Sequence, residues 1–290
     1  LPVDRAKARR NRRPACAGLL ALAGACAGFE AAAAEVAFLP SASLHLEFAR
    51  YAPSEPQFQW TSWIGGGVTA LRWGNTALYG RADVETVVGN ERRGFDAHQA
   101  NYHLEGGVRR PFGRFDVALF FNHVSRHTAD RPKPEAVDWN VLGLRASRRF
   151  DGRWSTRLEV GAGHTTLASL IGYRFEATGE IETRFSRASP NAPYARVAAR
   201  AVTTKRSPAF PRDGFVDFVA EAGLGFRRGA RALRLYAAYE HRNDVFLVVP
   251  GSRDRALLGF RIALNDDDGR DAGAAANAGA KLSPARGWTR

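Results

Sequence analysis

Apolar and charged residues alternate one for one over stretches too long for an ordinary soluble sheet. From Ile171 to Phe185 the odd positions read Ile, Tyr, Phe, Ala, Gly, Ile, Thr, Phe, and the even ones Gly, Arg, Glu, Thr, Glu, Glu, Arg. Successive strand side chains point to opposite faces, so this run has one greasy face and one charged face. Thr76 to Val88 repeats the pattern, with Leu78, Ala82, Val84 and Val88 against Tyr79, Arg81, Asp83 and Glu85. Arg255 to Leu264 does so again, with Leu258, Phe260, Ile262 and Leu264 opposite Arg255 and Arg261. A soluble sandwich would have to hide those apolar faces elsewhere. No run of eighteen apolar residues follows residue 35, so a helical span is not available either.

Twelve such segments are expected, at 42–51, 62–73, 76–89, 99–110, 114–127, 137–149, 154–165, 170–186, 194–205, 214–228, 231–243 and 254–264. Gly74-Asn75, Pro111-Phe112-Gly113, Asp151-Gly152-Arg153 and Gly229-Ala230 supply tight turns. Longer polar links at 52–61, 90–98, 128–136, 206–213 and 244–253 fall between them, while 187–193 is too long for its slot. Long strands in even number, with short turns alternating with long loops, predict an all-β, transmembrane antiparallel β-barrel of about twelve strands. Closure satisfies every backbone group without water. The apolar faces then meet lipid, and Arg81, Asp83, Glu85, Glu105, Arg145, Arg157, Glu159, Arg174, Glu176, Arg234 and Glu240 fill the lumen. Mixed signs in a narrow interior predict an ion-paired plug rather than a wide channel. Trp60, Trp63, Trp73, Trp139 and Trp154 fall near strand ends, where interfacial girdles are expected.

The segment before the barrel reads as a signal peptide over residues 1–34. Six Lys/Arg side chains open it, an Ala/Leu/Gly-rich run from Ala15 to Phe29 follows, and small residues at Ala31 to Ala34 supply a cleavage site. Residues 35–264 form the expected barrel, and 265–290, around "DAGAAANAGA", the expected disordered periplasmic tail. Cys16 and Cys26 both lie in the leader, so the remainder has no thiolate chemistry or disulfide framework. The formal charge of +13 falls to +9 beyond residue 34, with 36 basic against 27 acidic side chains. Those charges alternate with apolar residues instead of forming a stripe, which argues against nucleic acid and for anionic headgroups. The bacterial outer membrane is the expected location, and the barrel-assembly machinery an expected partner.

One stretch breaks the pattern. In "FFNHVSRHTAD" the face carrying Phe115, Val117, Leu119 and Phe121 goes on to His123, Ser125 and His127. Ionisable residues on a lipid-facing surface are unfavourable and usually serve a purpose. If the following hairpin closes about residues 131–132, Asn140 lies opposite His123 and Asp138 opposite Ser125, within cross-strand reach. That gives a nucleophile, a base and an orienting group. The two other readings are a structural or binding barrel and a small pore. His164 and the lumenal pair His103 and Glu105 are unassigned, and no metal ligand set can be named.

"FNHVS" followed by "WN" resembles outer-membrane phospholipase A, a twelve-stranded barrel with a His-x-Ser and downstream Asn on its outer wall. The resemblance implies a phospholipid acyl hydrolase with His123 as base, Ser125 as nucleophile and Asn140 as orienting residue. It also implies calcium as a cofactor and a possible homodimer. The family carries Asn-Gly after the serine where this chain has Arg126-His127, its Ser-to-Asn gap is shorter, and its calcium loop finds no match here. The chain is also similar to lipid A deacylases, in which Asp138 would be the acidic third member and lipid A the substrate. "HVSRHTAD" further resembles an uncharacterised outer-membrane family with His-x-Ser-x-His-x-x-Asp, through His123, Ser125, His127 and Asp130.

Overall fold

The computed structural model describes residues 35–129, 137–186, 188–207, 211–244 and 251–265. The expected signal peptide, Asp130 and positions 266–290 of the expected tail lie outside the described residues. Among the described residues, antiparallel strands β1 (Val36–Glu55), β2 (Phe58–Trp73), β3 (Thr76–Gly89), β4 (Asp96–Phe112), β5 (Phe115–Thr128) and β6 (Val137–Asp151) follow one another around a closed barrel. The ring continues through β7 (Ser155–Ala168), β8 (Tyr173–Arg184), β9 (Asn191–Thr204), β10 (Gly214–Arg228), β11 (Arg231–Asn243) and β12 (Ser252–Leu264). The last strand pairs back onto the first, from Leu44 opposite Leu264 to Ala52 opposite Ala256. Closure leaves no strand edge to be satisfied in lipid.

One end of the barrel carries tight turns in which Gly74, Gly113 and Gly229 adopt positive φ, a conformation that side-chain-bearing residues avoid. Val36 and Leu264 lie at this end, which in barrels of this kind faces the periplasm. Several longer links, such as 90–95 and 205–213, join strands at the other end.

The strands depart from the sequence reading in several places. The expected loop at 52–61 is a tight hairpin: β1 runs through to Glu55 and β2 starts at Phe58, with a register shift between Arg50 and Glu55 absorbing the irregularity. In β8 another register shift falls between Tyr173 and Phe175. It exposes Arg174 and turns Tyr173 inward, so Tyr173 and not Arg174 contributes to the lumen. Trp139 and Trp63, expected in interfacial girdles, also face inward: Trp139 is buried with its ring edge-on to Tyr173 at 5.2 Å, and Trp63, opposite Glu85, has its ring 5.2 Å from that of His103.

The outer wall is apolar. Leu44, Ile64, Leu144 and Leu258 all stand exposed, Leu258 at 72%. Surface of that kind is stable only against hydrocarbon.

The interior is packed with paired charge. Arg145 of β6 forks onto Glu105 of β4, both contacts 2.8 Å, and reaches Glu159 of β7 at 3.2 Å. Arg200 grips Glu176 at 2.7 and 2.9 Å, and Arg261 joins Glu47 at 2.6 Å. Arg234 of β11 reaches Glu182 of β8 at 2.7 Å. The Arg145–Glu105 and Arg200–Glu176 forks match each desolvated charge with paired hydrogen bonds as well as opposite charge. Two apolar clusters complete the filling. One gathers Tyr51, Phe58, Val87 and Tyr236; the other gathers Phe120, Val124, Val137, Trp139, Val141 and Tyr173.

Candidate active site

The second of those clusters lies directly behind the reactive-looking stretch. On β5, Phe120 and Val124 point inward into it, and Arg126 follows them, its guanidinium 5.2 Å from the Trp139 ring and bonded to the Asp244 backbone carbonyl at 2.6 Å. These contacts fix the strand's rotation. Phe121, His123, Ser125 and His127 must then project from the other face. Phe120 and Val124, which blur the alternation in sequence, belong to the core.

The hairpin register places Asn140 opposite His123 and Asp138 opposite Ser125. His123 Nδ1 and Asn140 Oδ1 are 2.6 Å apart. With the imidazole N–H donating to the amide carbonyl, the His123 proton sits on Nδ1 and the Nε2 lone pair is free. Among the described residues Asp138 makes its hydrogen bonds through its backbone, its carbonyl accepting from the Ser169 amide at 2.9 Å.

Ser125 is nearly buried, at 9% exposure, among these neighbours. Its Oγ lies 2.5 Å from Nε2 of His127, and among the described residues it has no hydrogen bond to His123. The reason is local. Positions 123, 125 and 127 share one face, so the hydroxyl stands between two imidazoles, and Asn140 draws the His123 ring sideways toward β6. Tyr102 of β4, directly opposite Ser125, meets the His127 ring edge-on at 5.6 Å. His127 entered the sequence reading as a candidate only through the His-x-Ser-x-His-x-x-Asp resemblance, and geometry makes it the imidazole in contact with the serine.

Below this polar patch the wall is apolar. Leu104 lies opposite His123 on β4, Phe121 and Leu119 follow on β5, and Leu142 and Leu144 follow on β6, all exposed. His164, opposite Leu142 on β7, is exposed on the same wall and joins none of these contacts. Among the described residues no group of three or more His, Cys, Asp or Glu side chains could hold a metal. Ser125 is three residues from the end of β5 that leads into the 129–136 link, so the patch sits near the outer-leaflet rim.

A closed antiparallel barrel with a greasy exterior and a charged interior is an outer-membrane β-barrel, and its place is the bacterial outer membrane. No protein-family model matches the chain, and no curated protein matches it in sequence. Among solved structures, its barrel is similar to outer membrane phospholipase A from Escherichia coli, with a TM-score of 0.51 at 16% identity, covering 79% of this chain and 98% of that one. An active-site Asn-to-Ala mutant of the E. coli protein gives 0.50 at 15%, over 79% and 92%. The Salmonella typhi outer membrane phospholipase dimer with bound calcium gives 0.50 at 16%, over 77% and 91%. At these identities the likeness establishes the fold.

Proposed function

We propose that this barrel is an acyl-ester hydrolase of membrane lipids, with Ser125 as nucleophile. The observation that carries the reading is the 2.6 Å bond between His123 Nδ1 and Asn140 Oδ1, on the same lipid-facing patch as Ser125. It leaves an imidazole with a fixed ring and an unshared pair on Nε2, the form a general base requires. An amide serves there without adding a second charge beside lipid. That an Asn-to-Ala change defines an active-site mutant of the E. coli phospholipase agrees with this role for Asn140.

In this reading the Ser125 hydroxyl gives up its proton to imidazole and attacks an ester carbonyl. The acyl group passes to Oγ as the alcohol leaves, and water then releases the fatty acid. Leu104, Phe121 and Leu142 offer an apolar bed for the acyl chain beneath the reacting carbonyl. Phospholipid is favoured over lipid A as substrate, because Nδ1 of His123 engages Asn140 and not the Asp138 carboxylate. The Salmonella protein was seen as a dimer with calcium, and a homodimer is part of the reading. Among the described residues no cluster of three or more His, Cys, Asp or Glu side chains stands at Ser125, and no step is routed through calcium. A small pore is disfavoured by the ion pairs that cross the lumen, such as Arg234 to Glu182.

The test is fatty-acid release from phosphatidylcholine–detergent micelles by the refolded barrel, with and without added calcium. Wild type should release fatty acid, and Ser125→Ala should lose on the order of 10³-fold or more. Release that survives Ser125→Ala would return the chain to the structural or binding class.

A further inference from the structure

Ser125 stands between two histidines that are held in different ways. Its Oγ is 2.5 Å from His127 Nε2. With the hydroxyl as donor, His127 must carry its own proton on Nδ1. The ring is steadied edge-on by Tyr102, which sits directly across from Ser125. His123 is turned the other way, its Nδ1 committed to Asn140. Its Nε2 has a lone pair and, among the described residues, no hydrogen bond to the serine. Two imidazoles thus flank one hydroxyl on the same strand face, each with an unprotonated nitrogen, and among the described residues one alone is hydrogen-bonded to it.

We propose that the two histidines divide the catalytic cycle, His127 serving acylation and His123 serving hydrolysis of the acyl-enzyme. The inference rests on the hydrolase reading above. In the first half, the Oγ–H bond breaks and its proton passes to His127 Nε2 while Oγ bonds to the ester carbonyl carbon. The tetrahedral intermediate collapses, the carbon–oxygen bond to the alcohol breaks, and His127 returns that proton to the departing alkoxide oxygen. In the second half, a water gives a proton to His123 Nε2 and attacks the acyl carbonyl. The Oγ–carbon bond breaks, the fatty acid leaves, and the proton on His123 passes to Oγ. Ester and water become acid and alcohol, and both imidazoles end as they began. The division has a physical reason. A base already in contact with Oγ is placed to take its proton, whereas His123, two residues along the same face and held to Asn140 instead, is left to take a proton from water.

The two halves separate in experiment. Full-length protein in detergent would be treated with a fluorophosphonate, which reports activation of Ser125, and with a short-chain p-nitrophenyl ester, followed by intact mass. His123→Ala should be labelled at close to the wild-type rate. With the ester it should give a stoichiometric burst and then accumulate protein heavier by one acyl group, while steady turnover falls roughly 10²-fold or more. His127→Ala should be labelled roughly 10²-fold more slowly and accumulate no acyl-enzyme. His127→Gln, which keeps a polar side chain at the site, should behave like His127→Ala, and heat-modifiable gel migration verifies that each variant is folded. Labelling lost in His123→Ala but kept in His127→Ala would overturn the division and leave the hydrolase reading intact with His123 as sole base. Loss of labelling in both variants alike, with no acyl-enzyme in either, would also overturn it. A wild-type protein that is never labelled would sink both proposals.

Discussion

Arg242 of β11 holds both carboxylate oxygens of Glu85 on β3, at 2.5 and 2.7 Å, although three strands separate them around the ring. The pair is therefore a chord across the lumen and not a rung between neighbours. Asn101 adds a third hydrogen bond to the same carboxylate at 2.5 Å, and Glu85 is 1% exposed. Water-filled conduction would have to break this link. In planar bilayers the wild-type barrel should show no stable, stepwise current, and large open-state currents would identify a pore instead.

The same chord sets a stability prediction. Arg242→Ala leaves a buried carboxylate without its counter-charge, a loss of about 3–5 kcal/mol when one partner of a buried pair is removed. Replacing both members, as Glu85→Gln with Arg242→Met, should recover most of that loss, because no charge remains to be solvated. Urea unfolding midpoints of the barrel in lipid vesicles would measure both. A single variant as stable as wild type would mean that the lumen admits enough water to solvate Glu85.

The wall should respond to charge by depth. Leu258 lies midway along β12 and faces outward, so Leu258→Arg should cost about 2–4 kcal/mol. Val216 is exposed near the loop end of β10, and Val216→Arg should cost only about 0–1 kcal/mol. The same vesicle unfolding experiment compares them. Equal costs would show that the two positions do not lie at different depths in a bilayer.

At the candidate site, Asn140→Ala removes the acceptor that orients His123 but no reacting group. Fatty-acid release should fall about ten- to a hundredfold, at or below the lower end of the roughly 10²–10⁴ that a complete acid–base group contributes. Asn140→Asp restores an acceptor and should lose less than Asn140→Ala. A release rate unchanged in Asn140→Ala would show that the His123 ring needs no such support.

Period two carried most of the fold. Leu258 and Ile262 face outward and Arg255 and Arg261 inward as their alternation predicts, and closing the hairpin about residues 131–132 set Asn140 against His123, as the pairing has it. What alternation could not reveal was where it slips. The register shift beside Arg174 carries no residue signature, yet it moves Tyr173 to the inner face, where its hydroxyl bonds Asp244 at 2.7 Å. Ala52, Pro53 and Ser54 suggested a loop by composition, but β1 runs through them to Glu55. At the site, pairing fixed which residues oppose one another but not which side chains bond. Ser125 had two imidazoles at equal spacing along its strand. Only the sideways reach of Asn140 from β6 explains why its hydroxyl meets His127 rather than His123.

His123, Ser125 and His127 project from the outside of a barrel whose inside is crossed by its own ion pairs. Whatever meets them must therefore arrive sideways, by lateral diffusion within the membrane. The relevant concentration is then a mole fraction in one leaflet, not a molarity in the surrounding water. A water-soluble ester would first have to partition into the bilayer, whereas a long-chain lipid is already in the plane where these side chains stand. Encounters here are two-dimensional, and their frequency is set by how crowded and how fluid that leaflet is.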